Sequence, residues 1–552
     1  MGACLGKSEE ADNGPSGFEV GGDSKKNAQS VHSVILRHRN IDVYKKYETK
    51  EVLGQGSMGS VSRVQVREGQ EGGSAFNPKV KKGMTRQSSN VSLSERRAHK
   101  VDYALKQIQL DKVSSAFLEE LHNEIDILKA MDHPNIVKAH EVYNHKKQIY
   151  IILELCDGGD LYTRLPYSEM EAGYISGKLL SAIKYMHDHG IVHRDLKFEN
   201  IIFESPHPKA EIKVIDFGLS KKFGNQATGV MHEGVGTLYS MSPQVLQGVY
   251  TSQADLWSAG VIIYMLLSSH RPFYSKKRKV MIDKIMRCDY NFNKSYWDPI
   301  SNEAKDMIDN LLVIDPKKRM DATKALKHVW LSKEFKLSDR KPDQTTADAV
   351  QGNLMNYKDV HALKKIALNV IAHKSSTDDI LELRKCFDQY DVANNGTISY
   401  DEFMTALKEK NYPEERVKEI FNSMDVNKNG VIMYTEFIAA TLEAQGHIEE
   451  ERIAEAFDRL DSDDSGFISR QNLTEFLGHE ATSQDIQDLI NEIDKDGDGE
   501  ISYAEFLSMF RQNRTNLFDI IEPAESVYSE DGLLGLDAKI PGGKFDSSRS
   551  GA

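Results

Sequence analysis

The stretch "IDKDGDGEISYAEF", Ile493–Phe506, sets Asp494, Asp496 and Asp498 two residues apart, follows them with Gly499, and ends on Ser502 and Glu505. Oxygen donors at that spacing, with a glycine for the sharp turn, suit a hard divalent cation better than a solvated acidic face. The stretch has relatives upstream. Aspartate-led loops begin at Asp391, Asp425, Asp461 and Asp494, at intervals of 34, 36 and 33 residues, and apolar segments such as "FMTAL", "FIAATL" and "FLSMF" follow. A repeat of that period predicts helix–loop–helix units stacked in pairs.

The loops fit the EF-hand pattern, which takes ligands from positions 1, 3, 5, 7, 9 and 12. Loop four meets every demand with Asp494, Asp496, Asp498, the Glu500 carbonyl, Ser502 and Glu505. Loop two offers Asp425, Asn427, Asn429, the Val431 carbonyl and Glu436, with Met433 at the water-mediated ninth position, and is expected to bind. In loop one Ala393 removes the third ligand, while Asp391, Asn395, the Thr397 carbonyl and Glu402 remain, so weak or magnesium-tolerant binding is expected. Loop three keeps Asp461, Asp463, Ser465 and the Phe467 carbonyl, but Asn472 stands where a bidentate glutamate is needed. One neutral oxygen cannot replace two anionic ones, so this loop is read as the weakest site, or as a unit kept for helix packing.

The chain around these loops is 552 residues long, more than one hydrophobic core usually supports. Its net charge of −14 is unevenly placed: residues 378–510 hold 32 acidic and 11 basic residues, which leaves the remainder net positive. Nothing approaches eighteen consecutive apolar residues, and "MGACLGKSEE" turns polar before a secretory h-region can form. Four scattered cysteines, Cys4, Cys156, Cys288 and Cys386, have neither metal-like nor disulfide-like spacing and fit a reducing, cytoplasmic setting. No feature points to nucleic acid.

Toward the N-terminus, "YETKEVLGQGSMGSVSRVQV" holds two strand-like runs around Gly54, Gly56 and Gly59. A glycine turn between strands, rather than before a helix, suits amides closing over phosphates and argues against a Rossmann turn. Lys106 in "YALK" lies on the next strand and Glu124 on a helix, where an ion pair would fix the lysine. Then come "IVHRDLKFENIIF" and "VIDFGLS". Together these motifs resemble the eukaryotic protein kinases. The resemblance implies that Asp195 handles the substrate hydroxyl proton and that Lys197 stabilises the transferring phosphate. It further implies that Asn200 and Asp216 hold magnesium and that Leu53, Gly54, Gln55, Gly56, Ser57, Met58, Gly59, Val61, Ala104 and Lys106 enclose ATP. Leu153 would be the gatekeeper, and Glu154 to Cys156 the hinge reading adenine through backbone groups.

"HRDLK" and Thr237 in "GVGT" resemble serine/threonine kinases, and Asp160 and Glu199 match positions that seat basic residues upstream of the target hydroxyl. Glu233 could supply a permanent charge opposite Arg194, and Ser89, three residues after Arg86, is a candidate autophosphorylation site. Gln244 stands where the family has a glutamate that pairs with Arg319, so a neutral hydrogen bond or a rearrangement is expected there.

Between the two modules, "YKDVHALKKIALNVIAHK" repeats Val360, Leu363, Ile366 and Val370 at helical spacing, with Lys358, Lys364 and Lys365 on the other side. That is the pattern of a helix laid into an apolar groove. The order of parts resembles the calcium-dependent protein kinases of plants and protists. The expected fold is an α+β bilobal kinase domain followed by an all-α calmodulin-like domain of two EF-hand pairs. Its expected boundaries are a structureless 1–46, a kinase domain 47–331 with an insertion at 67–100, a junction 332–375, EF-hand pairs 376–444 and 445–514, and a tail 515–552. Family behaviour implies a serine/threonine kinase using ATP and Mg2+, restrained by the junction helix and released when Ca2+ fills its own loops. A pseudokinase scaffold or a sensor without phosphotransfer is the alternative. Gly2 and Cys4 resemble an N-myristoylation plus S-palmitoylation site that would anchor the chain to a membrane surface, although Gly6 sits where Ser or Thr is preferred.

Overall fold

The computed structural model describes residues 37–55, 59–67, 101–112, 114–223, 229–232, 234–332, 342–408, 412–446, 448–477 and 482–511. Gly2, Cys4, the turn residues Gly56, Ser57 and Met58, nearly all of the insertion with Ser89, Glu233, and the tail lie outside them.

The first lobe is a six-stranded sheet in the order β1-β5-β6-β4-β3-β2. Its strands are β1 (Arg37–Arg39), β2 (Tyr47–Gln55), β3 (Gly59–Val66), β4 (Asp102–Gln109), β5 (Ala139–His145) and β6 (Gln148–Glu154). Alternation puts Val64, Tyr103, Leu105, Tyr143, Tyr150 and Ile152 into one apolar cluster on a single face. Neighbours pair antiparallel except β1, which runs parallel to β5 with His38 opposite Val142. The expectation of a structureless 1–46 is therefore corrected at its end: β1 and a 3-10 turn at Val43–Lys45 precede Tyr47, with Val43 wholly buried. Ile41, Val43 and Tyr44 are scattered among polar and charged residues there, which hid that order from periodicity.

Helix α1 (Ser115–Ala130) carries Glu124 and is capped by Ser114, which accepts from the Phe117 amide at 3.3 Å. In the second lobe, α2 (Glu169–Asp188) begins with a Ser168/Glu171 capping box. Short strands β7 (Ile191–Val192), β8 (Ile201–Phe203), β9 (Ile212–Val214) and β10 (Lys221–Lys222) hold the segments that bear Asp195 and Asp216. Then follow α3 (Pro243–Gln247), α4 (Gln253–Ser268), α5 (Arg278–Arg287), α6 (Asn302–Leu311), α7 (Ala322–Leu326) and α8 (Val329–Ser332). Helix α4 is buried on every side, as its near-continuous apolar sequence requires.

The junction forms two helices, α9 (Gln344–Asn356) and α10 (Ala362–Lys374), separated by a 3-10 turn. Here the expected two-faced helix is corrected. Residues from Leu363 to His373 are nearly all buried, because α10 packs against helices from both EF-hand pairs. Lys364 is 2% exposed and donates to Glu443 at 2.9 Å, and Val360 precedes the helix.

The EF-hand region runs α11 (Leu381–Tyr390), β11 (Thr397–Ser399), α12 (Tyr400–Leu407), α13 (Glu414–Met424), β12 (Val431–Met433) and α14 (Tyr434–Thr441). The second half repeats the plan with α15 (Glu450–Leu460), β13 (Phe467–Ile468), α16 (Arg470–Leu477), α17 (Ser483–Asn491), β14 (Ile501–Ser502) and α18 (Tyr503–Arg511). Loops pair through two-stranded sheets, Ile398 opposite Ile432 and Ile468 opposite Ile501. The first pair docks on the kinase lobes. Met433 belongs to the same apolar cluster as the kinase core, and Arg384 on α11 bonds both carboxylate oxygens of Glu204, at 2.9 and 3.0 Å.

Candidate active site and cation loops

Pairing of β4 with β3 and β6 sets Lys106 between Val61 and Ile151 and points its ammonium toward α1. Lys106 Nζ lies 2.6 Å from Glu124 and 3.9 Å from Asp216. Burial alone would lower the lysine pKa, but the Glu124 and Asp216 charges raise it instead, so the group stays cationic. Gly59 is demanded by the sheet: a Cβ there would sit 1.8 Å from the Gln107 carbonyl oxygen of the next strand, whereas one at Gly54 would meet nothing within 4 Å.

Asp195 is 6% exposed and sits in a net of donors. Thr237 Oγ1 donates to one carboxylate oxygen at 2.7 Å, Lys197 Nζ to the other at 2.6 Å, and Asn200 Nδ2 to the Asp195 carbonyl at 2.9 Å. Arg194 and Asp216 both hold left-handed backbone, φ 69° and 65°, which costs a non-glycine residue about 1–3 kcal/mol. Sequence reasoning missed what holds Arg194 there. Buried Asp255 accepts from the His193 and Arg194 amides at 3.0 Å and bonds His187 Nε2 at 2.9 Å. Burial would raise its carboxyl, yet the His187 hydrogen bond and the nearby imidazoles hold it below the usual range. A lone acid inside "ADLWSAGVIIYMLLS" was the available signal, since a buried charge must have partners.

Other expected residues fall where the fold puts them, with qualifications. Leu153 faces Ala104 across β4 and β6. The Glu154 amide donates to the Lys138 carbonyl and its side chain bonds Lys213 at 3.0 Å, so of its backbone groups that amide is already engaged. Cys156 follows on the same segment, its thiol pushed up by burial. Asp160 caps a 3-10 turn by accepting from the Tyr162 and Thr163 amides, and Glu199 accepts from the Tyr239 hydroxyl at 2.6 Å. Among the described residues no hydrogen bond engages the second carboxylate oxygen of either. Gln244 accepts from Arg319 at 2.9 Å, the neutral bond expected from its sequence, while burial lowers Arg319 to about 10.

The donor set suits magnesium and a nucleotide. The Asn200 and Asp216 side chains are hard oxygen donors close to an ammonium suited to phosphate.

Loop four brings carboxylate oxygens of Asp494, Asp496 and Glu505 within 4.8 Å of one another. Asp498, outside that trio, accepts from the Glu500 amide at 2.9 Å. In loop two, Asp425 accepts from the Asn429 and Gly430 amides, and Glu436 from Val426 and Met433, with burial pushing Glu436 up to about 8. Asn427 and Asn429 bond loop amides. In loop one, Asp391 accepts from Asn395 and Gly396 and is pushed up by burial to about 7, while the Ala393 amide donates to Glu402 at 2.8 Å. The Thr397 hydroxyl bonds Asn395. Loop three is filled from within: the Asn472 amide donates to Asp463 at 3.2 Å, and the Ser465 hydroxyl bonds the Phe467 carbonyl at 3.0 Å. A donor aimed into a cage opposes a cation there, whereas loops two and four present acceptors.

Two lobes around a phosphate-binding lysine and a carboxylate net, joined to paired cation loops, define a phosphotransferase with its own metal sensor. The sequence matches the protein kinase domain family over residues 83–331 and the EF-hand domain pair family over 380–442 and 450–511. Calcium-dependent protein kinase 29 of Arabidopsis thaliana is 39% identical over 428 residues, covering 75% of this chain and 78% of the relative. Calcium-dependent protein kinase 2 of Zea mays is 36% identical over 420 residues (74% and 80%), and calcium-dependent protein kinase 5 of Plasmodium falciparum is 34% identical over 416 (74% and 72%). The chain belongs to the calcium-dependent protein kinases: a protein serine/threonine kinase that uses ATP and Mg2+, with EF-hand domains that bind Ca2+. No helix among the described residues is long and apolar enough to cross a membrane.

Proposed function

We propose that Ca2+ bound by the first EF-hand pair activates the kinase by docking that pair on the two lobes, and that the junction helix restrains the kinase when the dock is lost. One observation carries this reading. Thr435 donates to both oxygens of Asp132 in the kinase, from its amide at 2.9 Å and its hydroxyl at 2.7 Å. The next residue, Glu436, closes loop two. A cation that pulls on Glu436 therefore acts one peptide away from the joint. With the pair docked, α10 is held between α14 and α15, and its His373 reaches the Ala139 carbonyl at 3.0 Å.

In the site itself, Asp195 orients the substrate hydroxyl and takes its proton, since one carboxylate oxygen is fixed by Thr237 and the other by Lys197. Lys197 shares charge with the phosphate in transfer, and Lys106, held by Glu124, positions the nucleotide. Asn200 and Asp216 would hold magnesium, which when bound neutralises charge on the phosphates. The free oxygens of Asp160 and Glu199 favour arginine or lysine upstream of the phosphorylated residue.

Phosphorylation of a basic peptide, measured with calcium and with chelator, tests the reading. Activity should rise with calcium and fall when Thr435→Ala removes one bond to Asp132. Equal rates in calcium and chelator would remove the regulatory claim, and no activity in either would favour a scaffold.

A further inference from the structure

Five consecutive exposed residues, Lys276, Lys277, Arg278, Lys279 and Val280, lead into and open α5, with Lys277 as its N-cap, and Tyr274 just before them is 55% exposed. Among the described residues none of the four cations has an ion-pair partner. The run does nothing for its own helix. Four like charges repel one another, and they stand at the end of α5 where the backbone dipole is already positive, with no acid in the first turn. A local rule broken without internal compensation marks a surface shaped by something outside the chain.

Its place in the fold says what that is. Helix α5 packs against α3, which follows directly on the segment bearing Thr237. Arg271, three residues before Tyr274, stacks on the Tyr239 ring with its guanidinium carbon 4.2 Å from the centroid and donates to the Tyr162 hydroxyl at 3.0 Å. The Tyr239 hydroxyl in turn donates to Glu199. The segment leading into the basic run is thus tied through Arg271 and Tyr239 to Glu199 of the catalytic loop.

We infer that residues Tyr274–Val280 form a second docking surface that binds an acidic tract of the protein substrate, separate in sequence from the phosphorylated Ser or Thr. The tyrosine and valine give the rim of such a contact apolar area, and the four cations give it charge complementarity. The surface complements the proposed taste for upstream basic residues, and its test is independent of that reading: a bare peptide reports on the cleft alone.

The full-length protein in saturating calcium is assayed on one basic phosphoacceptor peptide, bare or joined at either end through a Gly/Ser linker to five glutamates. At low salt, at least one tailed peptide should show a KM about three- to tenfold below that of the bare peptide, with kcat unchanged. The advantage should shrink at high salt. Reversing the run (K276E, K277E, R278E, K279E) or neutralising it with glutamines should abolish the advantage and leave the bare peptide's kcat/KM unchanged. Equal KM for tailed and bare peptides would overturn the proposal. So would a variant that loses activity equally on both, or a run that binds phosphatidylserine vesicles while ignoring the tails.

Discussion

Asp255, Lys138 and Asn472 each hold a polar group where its surroundings dictate its charge or its direction. Asp255 fixes the amides of His193 and Arg194, and through them the strained turn that presents Asp195. Asp255→Ala leaves His187 and both amides without their acceptor and should destabilise the kinase domain by about 3–5 kcal/mol, read as a lower urea midpoint. Lys138 is 5% exposed between the kinase and the ring of Tyr434, and burial lowers its pKa to about 8 despite the nearby Asp132. A lysine with a depressed folded pKa destabilises the fold fully below that value, and the penalty fades as pH climbs toward the unfolded value near 10.5. Wild type should therefore gain on Lys138→Met by roughly 2 kcal/mol between pH 7 and pH 9.5, and equal slopes would contradict it. Asn472→Glu removes the amide that fills loop three and supplies a bidentate anion, so calorimetry should register an additional bound calcium ion. The Asn472 substitution itself was legible from spacing alone. The direction of its amide was not, because a side chain's aim depends on packing.

Elements divide the same way. The loop helices and the lysine strand follow from local periodicity, and their sequence reading stands. Helix α10 was legible as a packed helix but its burial on the basic side was not, because a helix covered on every side loses the polar stripe that period-based reasoning needs. Lys364 carries a charge yet is buried, since Glu443 meets it. Strand β1 was invisible for a related reason: three polar residues gain their order only from the edge of β5. Between elements, the Arg384–Glu204 pair joins α11 to the kinase, with both side chains almost wholly buried. Arg384→Met should leave Glu204 uncompensated, weaken docking by about 3–5 kcal/mol and raise the calcium needed for half-maximal activity at least tenfold. A double change that also replaces Glu204 with leucine should recover much of the loss.

For the whole molecule, the order of modules was readable, but their placement was not. Asp132 and Thr435 are 303 residues apart, and neither has a sequence signature of its own. Loop four sits in the other EF-hand pair, linked to the docked pair through α10. Glu505→Gln should move the calcium response of peptide phosphorylation to higher calcium without abolishing it, and a flat curve would mean that loop four, not the first pair, controls it. A fragment ending before α9 should phosphorylate in chelator faster than the intact chain if the junction is a brake.

That fragment would carry a wound. Met433 from loop two lies in the same oily interior as the catalytic lobe, so cutting the sensor away unroofs that interior instead of parting two finished surfaces. Sensor modules borrowed from other kinases would have to match this seat side chain by side chain, which ties the two halves to a common evolutionary fate.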